Sequence, residues 1–178
     1  VGVNARLYNS ARLQAANYDF KALYNQYSSK KSEYEGMLAE DSISGAEQAE
    51  VEAELAQMLA AVEESHASFV GLINESGTVN PMIKLQADLD LAHAQEDWDT
   101  ALAQLNQLTA EGVRLDSSKM LIAADVAMRA GDFGAAARFI EQVLAVRPDL
   151  QVDPAFGLIR AQIAMSVGEY EKAAGIGR

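Results

Sequence analysis

The sequence has no cysteine, only three prolines and no long apolar run. The missing cysteines exclude disulfides, thiol catalysis and thiolate metal sites, and they fit a bacterial envelope compartment as well as a cytosol. No stretch approaches the roughly 20 apolar residues that span a bilayer, so no membrane insertion is expected of this segment. The opening residues "VGVNARLYNS" carry neither the basic nor the hydrophobic region of a signal peptide. Basic charge is scarce as well. Fourteen Lys and Arg face 26 Asp and Glu, for a net charge of -12, and the longest basic run is the pair Lys30 and Lys31. Nucleic-acid affinity rests on clustered cations, so the composition argues against a nucleic-acid partner and, equally, against an anionic membrane surface. The first residue is Val rather than Met, which fits a processed product or a piece of a longer chain. With the missing cysteines, that start sets the expectation of a bacterial periplasmic or membrane-associated setting, a cytoplasmic one being compatible with the same composition.

What is present is a chain of 178 residues, 49% hydrophobic and 22% charged. That suffices for a buried core without disulfides or metal, and the scarcity of proline leaves most of it free to be helical. The expected class is all-α. Residues 13 to 37 place Leu13, Ala16, Phe20, Leu23, Tyr27, Lys30, Tyr34 and Met37 at alternating steps of three and four, a heptad seam. After "AEDSISGAEQ" the pattern resumes with Val51, Leu55, Met58, Val62, Ser65, Phe69 and Leu72. Ser44 and Glu47 form a capping box, which predicts a second helix starting there. The short capped connector predicts an antiparallel hairpin over residues 1–78. A parallel coiled coil joining several chains through the same seam is the competing arrangement, with a homo-oligomer as its consequence. Tyr18, Tyr24, Tyr27 and Tyr34 read as packing residues with a wet hydroxyl end, or else as a recognition stripe.

Residues 79–178 follow another rule. Gly77 ends the second helix, and Asn80 with Pro81 makes an N-cap followed by proline at the first helical position. Trp98, Phe133 and Tyr170 are 35 and 37 residues apart, and Ala101, Ala136 and Ala173 each follow their aromatic by three. Gly131 and Gly168 stand two residues before theirs. A period near ~34 residues marks helix-turn-helix repeats. The aromatic fills the gap between neighbouring helices, the alanine lets two helices approach where they cross, and the glycine permits the tight turn. Asp116 with Ser117, and Asp153 with Pro154, supply further helix starts.

These residues resemble the tetratricopeptide repeat family over roughly residues 81–178. The middle unit fits best, through Ala124, Gly131, Phe133, Ala136, Ile140 and Pro148. The first unit has Glu96 for the glycine and Gly112 in place of a closing proline, and the third ends inside its second helix. The resemblance implies a right-handed α-solenoid of about three helix-turn-helix units after the hairpin, with a peptide-binding groove on the inner face of each first helix. Carried over, the groove positions are Gln86, Asp90 and His93; Leu121, Asp125, Met128 and Arg129; and Leu158, Gln162 and Met165. The Lys/Asn clamp with which some members hold a partner's terminal carboxylate is missing, and Asp90 and Asp125 would repel such a group. A basic or neutral polar ligand is the better match.

Sites for chemistry are sparse. His93 lies in sequence near Asp88, Asp90, Glu96 and Asp97, but Asp90 and His93 alone make a weak metal pair. "EDWD" lacks the progression of a calcium loop, and no glycine-rich phosphate cradle occurs. With two separated histidines and no cysteine, a nucleophile has few candidate bases. The expectation is a non-enzymatic protein-protein interaction scaffold, with no cofactor and no metal, that binds a peptide segment or partner protein, in a larger envelope-associated assembly. The alternative is an architectural subunit that oligomerises through the heptad helices and takes no free peptide.

Overall fold

The computed structural model describes residues 2–76, 81–152, 154–166 and 168, without the side chains of residues 2–6, 118, 154, 155 and 158. The protein is all-α. Among the described residues, seven helices follow one another: α1 Gly2–Ala39, α2 Gly45–Ser76, α3 Pro81–Ala94, α4 Trp98–Ala110, α5 Ser117–Arg129, α6 Phe133–Val146 and α7 Pro154–Ser166. A 3-10 helix, Pro148–Val152, precedes α7. The helices pack into two compact units, residues 1–96 and 97–178.

In the first unit α1 and α2 form a long antiparallel hairpin, with α1 spanning roughly 57 Å at ~1.5 Å per residue. Every seam residue expected from the heptad spacing is buried or half-buried, with Phe20, Val62 and Phe69 wholly covered. The seam is thus used inside the chain. Its polar interruption at Lys30 has a local cause, an ion pair with Glu54 across the hairpin at 3.2 Å. The Tyr34 hydroxyl donates to Glu52 at 2.6 Å. This bond pushes the phenol's pKa above its ordinary value and holds the Glu52 carboxyl below its own. Tyr24, Tyr27 and Tyr34 are buried packing residues whose hydroxyls reach polar partners, whereas Tyr18 is 74% exposed. Nothing in residues 2–12 breaks a helix, so α1 starts well before the seam does and leaves Leu7 and Tyr8 exposed.

The hairpin turn is built as its sequence predicts. Ser44 donates its amide to Glu47 at 3.0 Å and its hydroxyl to the same carboxylate oxygen at 2.6 Å, while α2 starts at Gly45. The Ser44 hydroxyl, then its amide, holds the Glu47 carboxyl below its ordinary pKa. Such a group adds stability above its unfolded pKa, and that stability is lost as pH falls through the lower folded value. By the usual cost of losing an N-cap side chain, Ser44→Ala should lower stability by about 1 kcal/mol near neutral pH. It should also flatten this part of the acid dependence, which urea unfolding across pH 2 to 7 would read.

Helix α3 belongs with the hairpin, packing on both α1 and α2. Leu85, Ala87, Leu89, Ala92 and Ala94 are buried, so more than one face of this helix is covered. The Tyr27 hydroxyl donates to the Ala94 carbonyl at 3.1 Å, Gln95 donates to Glu63 at 2.7 Å, and Lys31 pairs with Glu96. The expected domain boundary at 78/79 lies outside the described residues, as do Gly77 and Asn80. The division between the units falls at Glu96, within the turn after α3.

That turn recurs. Glu96, Gly131 and Gly168 adopt left-handed backbone with φ of 58°, 81° and 81°. Their amides donate to the carbonyls of His93, Met128 and Met165, three residues back in each case. The next residue then caps the following helix twice over. Asp97 has φ -82° and ψ 78° and accepts from the Thr100 amide; Asp132 has φ -87° and ψ 71° and accepts from the Ala135 amide. Trp98 and Phe133 open α4 and α6, and Ala101 and Ala136, one turn on, are fully buried. Glu96 holds the left-handed position without being glycine, which is why the first turn is harder to see in the sequence. Gly131→Ala should lower stability by about 1 kcal/mol through backbone strain. Open space around the position leaves no steric contribution, so thermal unfolding would report the strain alone. The third aromatic, Tyr170, Ala173 and the helix expected around them lie outside the described residues.

In the second unit α5 packs on α4 and on α6, and α7 packs on α6 and the 3-10 helix. Asp116 caps α5, accepting from the Lys119 amide at 2.9 Å. Ala124 and Ala127 of α5 meet Ala135, Ala136, Ile140 and Val143 of α6 in one core with Phe156 and Ile163 of α7. Small side chains at this crossing let the two helix axes approach closely. Pro148 stops α6, and Arg147 clasps Asp149 at 2.6 Å over the start of the 3-10 helix. The same bond raises the pKa of Arg147 and lowers that of Asp149.

Candidate functional site

The expected binding positions fall in both units. On α3, Asp90 is buried at 1% exposure, Gln86 is half-buried, and the Nδ1 atom of His93 lies 3.0 Å from the Tyr24 hydroxyl. His93 also meets the Tyr24 ring edge-on at 6.1 Å between centroids. His66 lies 2.9 Å from Asp88, which Lys84 also contacts at 2.5 Å. Both histidines therefore pack where α3 lies on the hairpin. Among the described residues, no three His, Asp or Glu side chains gather as a metal site would require, and no helix is long and apolar enough to cross a membrane.

The second unit contains a cavity of about 330 Å³. One wall is α5, where Leu121, Ala124, Asp125 and Met128 recur at helical spacing on one face. Ile140 of α6 forms part of the lining, since the alanine-rich crossing holds α6 close beneath α5. The opposite wall comes from Phe156 and Ile159 of α7, and Leu150 of the 3-10 helix closes one side. Three expected residues, Leu121, Asp125 and Met128, are thus brought together around one cavity.

Arg129, the fourth expected residue on α5, stands beside the cavity. Its Nε atom donates to the two Asp125 carboxylate oxygens at 2.9 and 3.2 Å, and its guanidinium carbon lies 4.9 Å from the centre of the Trp98 ring. On α7, Gln162 and Met165 are exposed and the Leu158 side chain lies outside the described residues. Phe156, Ile159 and Leu150 were not anticipated as lining. The first two are legible in retrospect, because Phe156, Ile159 and Ile163 form an apolar stripe at steps of three and four. Leu150 is not, because its place depends on the path the chain takes after Pro148.

Among the described residues, the lining is apolar apart from one ionisable side chain, Asp125. A concave apolar surface with few polar groups is the usual build of a recognition site, and 330 Å³ lies at the small end of the ~300–1,000 Å³ range. Two larger hollows on the hairpin are lined mainly by polar and small residues, among them Asn25, Gln26 and Ser29 in one and Ala61, Ser65 and Ser68 in the other. They offer less apolar surface to a ligand. No family model, curated protein or solved structure matches the chain. The site's own geometry therefore carries the functional reading.

Proposed function

We propose that this chain is a non-enzymatic interaction scaffold of tetratricopeptide-like build, which captures a peptide segment or partner protein in the groove between α5 and α7. The observation that carries the reading is the convergence of Leu121, Asp125 and Met128 with Phe156 and Ile159 around one apolar cavity. Support for the repeat comes from the matched caps at Asp97 and Asp132, each followed by an aromatic that opens a helix, Trp98 or Phe133, and by an alanine buried one turn on, Ala101 or Ala136. Burial of both seams within the hairpin favours a scaffold over a subunit that oligomerises through those seams.

The cavity suits recognition by side-chain insertion. Met128 is half-buried and unbranched, so it can repack around anchors of different shape. Selection from a displayed library of random short peptides on the immobilised full chain tests the reading. A set of peptides with a shared apolar anchor should be enriched, and Met128→Glu should weaken their binding at least tenfold, with the helical circular dichroism signal preserved. Failure to enrich any peptide, or binding indifferent to Met128→Glu, would contradict the assignment.

A further inference from the structure

The size and lining of the cavity select the kind of group it takes. Leu121, Ala124 and Met128 of α5 stand on one side, Phe156 and Ile159 of α7 on the other, and Ile140 completes the apolar surface. The volume is about 330 Å³. That is roughly twice the ~150 Å³ of a cavity lined by Leu, Ile and Phe that stays dry and binds benzene. An isobutyl group would leave much of the space empty and forfeit contacts on its uncovered side. A double ring would fill it.

We infer that the cavity between α5 and α7 binds one neutral aromatic group, up to the size of an indole ring, in preference to a branched aliphatic one. This deepens the peptide-capture reading above and rests on it for the source of the ring, a Trp or Phe side chain of the captured segment. Two lining residues favour a ring over an aliphatic group. The Met128 thioether is polarisable and gains from sulfur-aromatic contact. Phe156, 5% exposed on the opposite side, gains from a second ring set edge-on or offset to its own. The charge of the lining excludes ionic anchors. Apart from Asp125, which already accepts from Arg129 at 2.9 Å, the described lining residues are apolar, so a charged group would lose its hydration on entry for little return.

Titration of the full chain, methyl-labelled at Met and Ile, with N-acetyl-tryptophanamide and N-acetyl-leucinamide tests the preference by nuclear magnetic resonance. The tryptophan amide should shift the methyl signals of Met128, Ile140 and Ile159 saturably and bind several-fold more tightly than the leucine amide. Met128→Leu, which keeps the volume and removes the sulfur, should weaken the tryptophan amide about two- to tenfold and leave the leucine amide unchanged. Leu121→Trp, at a half-buried lining position, should fill the cavity and abolish the shifts at Ile140 and Ile159. Ile159→Phe fills it from the other side and replaces Leu121→Trp if that chain does not fold. Equal affinity for the two amides, or shifts that persist in the filled chains, would overturn the aromatic preference. The random-peptide selection separates this inference from the reading it rests on. Enriched peptides should share a Trp or Phe anchor. Enrichment of Leu or Ile anchors alone would overturn the aromatic preference and leave peptide capture intact. Saturable binding of the tryptophan amide with no peptide enriched would keep the aromatic site, assign it to a free compound, and overturn peptide capture.

Discussion

Phe20→Ala should destabilise the hairpin unit by about 3–5 kcal/mol, the usual cost of removing a buried phenylalanine ring and leaving its cavity behind. Phe20 is wholly covered in the seam. Its ring stacks with Tyr24 at 6.4 Å between centroids and meets the edge of His66 at 5.4 Å, and His66 in turn contacts Asp88 of α3. One side chain therefore supports all three helices of the unit. Its loss leaves little nearby that could collapse into the space, because the neighbouring rings are held by hydrogen bonds to other elements. Urea unfolding followed by the near-ultraviolet signal of the buried tyrosines would show the midpoint falling. Tyr18→Ala provides the contrast. At 74% exposure this change should stay within about 0.5 kcal/mol.

Ala136→Leu should be the most damaging conservative change in the second unit. Ala136 is fully buried, as is Ala127 of α5 in the same core. A larger side chain forces the two helices apart or adopts a strained rotamer, at a cost of about 1–3 kcal/mol. The effect should extend to function, since the separation of α5 and α6 sets how Ile140 meets Leu121 and Met128 in the groove. Peptide capture should fall with stability in Ala136→Leu. In Gly131→Ala, by contrast, the strain is confined to the turn and capture should survive once the protein is folded.

Much of this architecture was legible because it depends on local rules. The seam of α1 and α2 follows from three-four spacing, and the starts of α2 and α5 follow from Ser44 and Asp116, whose side chains bond the amides that capping requires. The positions Leu121, Asp125 and Met128 came instead from the resemblance to the repeat family, and they line one cavity because they share one helical face. Features that depend on which elements meet were not legible. The ion pair of Lys30 with Glu54 needs the register of the hairpin. The packing of α3 is ambiguous in sequence because apolar residues occupy several of its faces, and the buried carboxyl side chain of Asp90 sits among them. The shared position of Arg129, between Asp125 and Trp98, depends on how α4 lies beside α5. Left-handed Glu96 hid the first turn, since a glycine is the usual marker of that conformation.

Photo-crosslinking with an enriched peptide tests the location of binding most directly. A benzophenone side chain would be placed in turn at Met128 and Ile159 in the groove, and at Gln26 on the hairpin. The account predicts peptide adducts at Met128 and Ile159, lost when unlabelled peptide competes, with no competed adduct at Gln26. Adducts confined to Gln26, or equal at all three positions, would contradict a binding groove between α5 and α7.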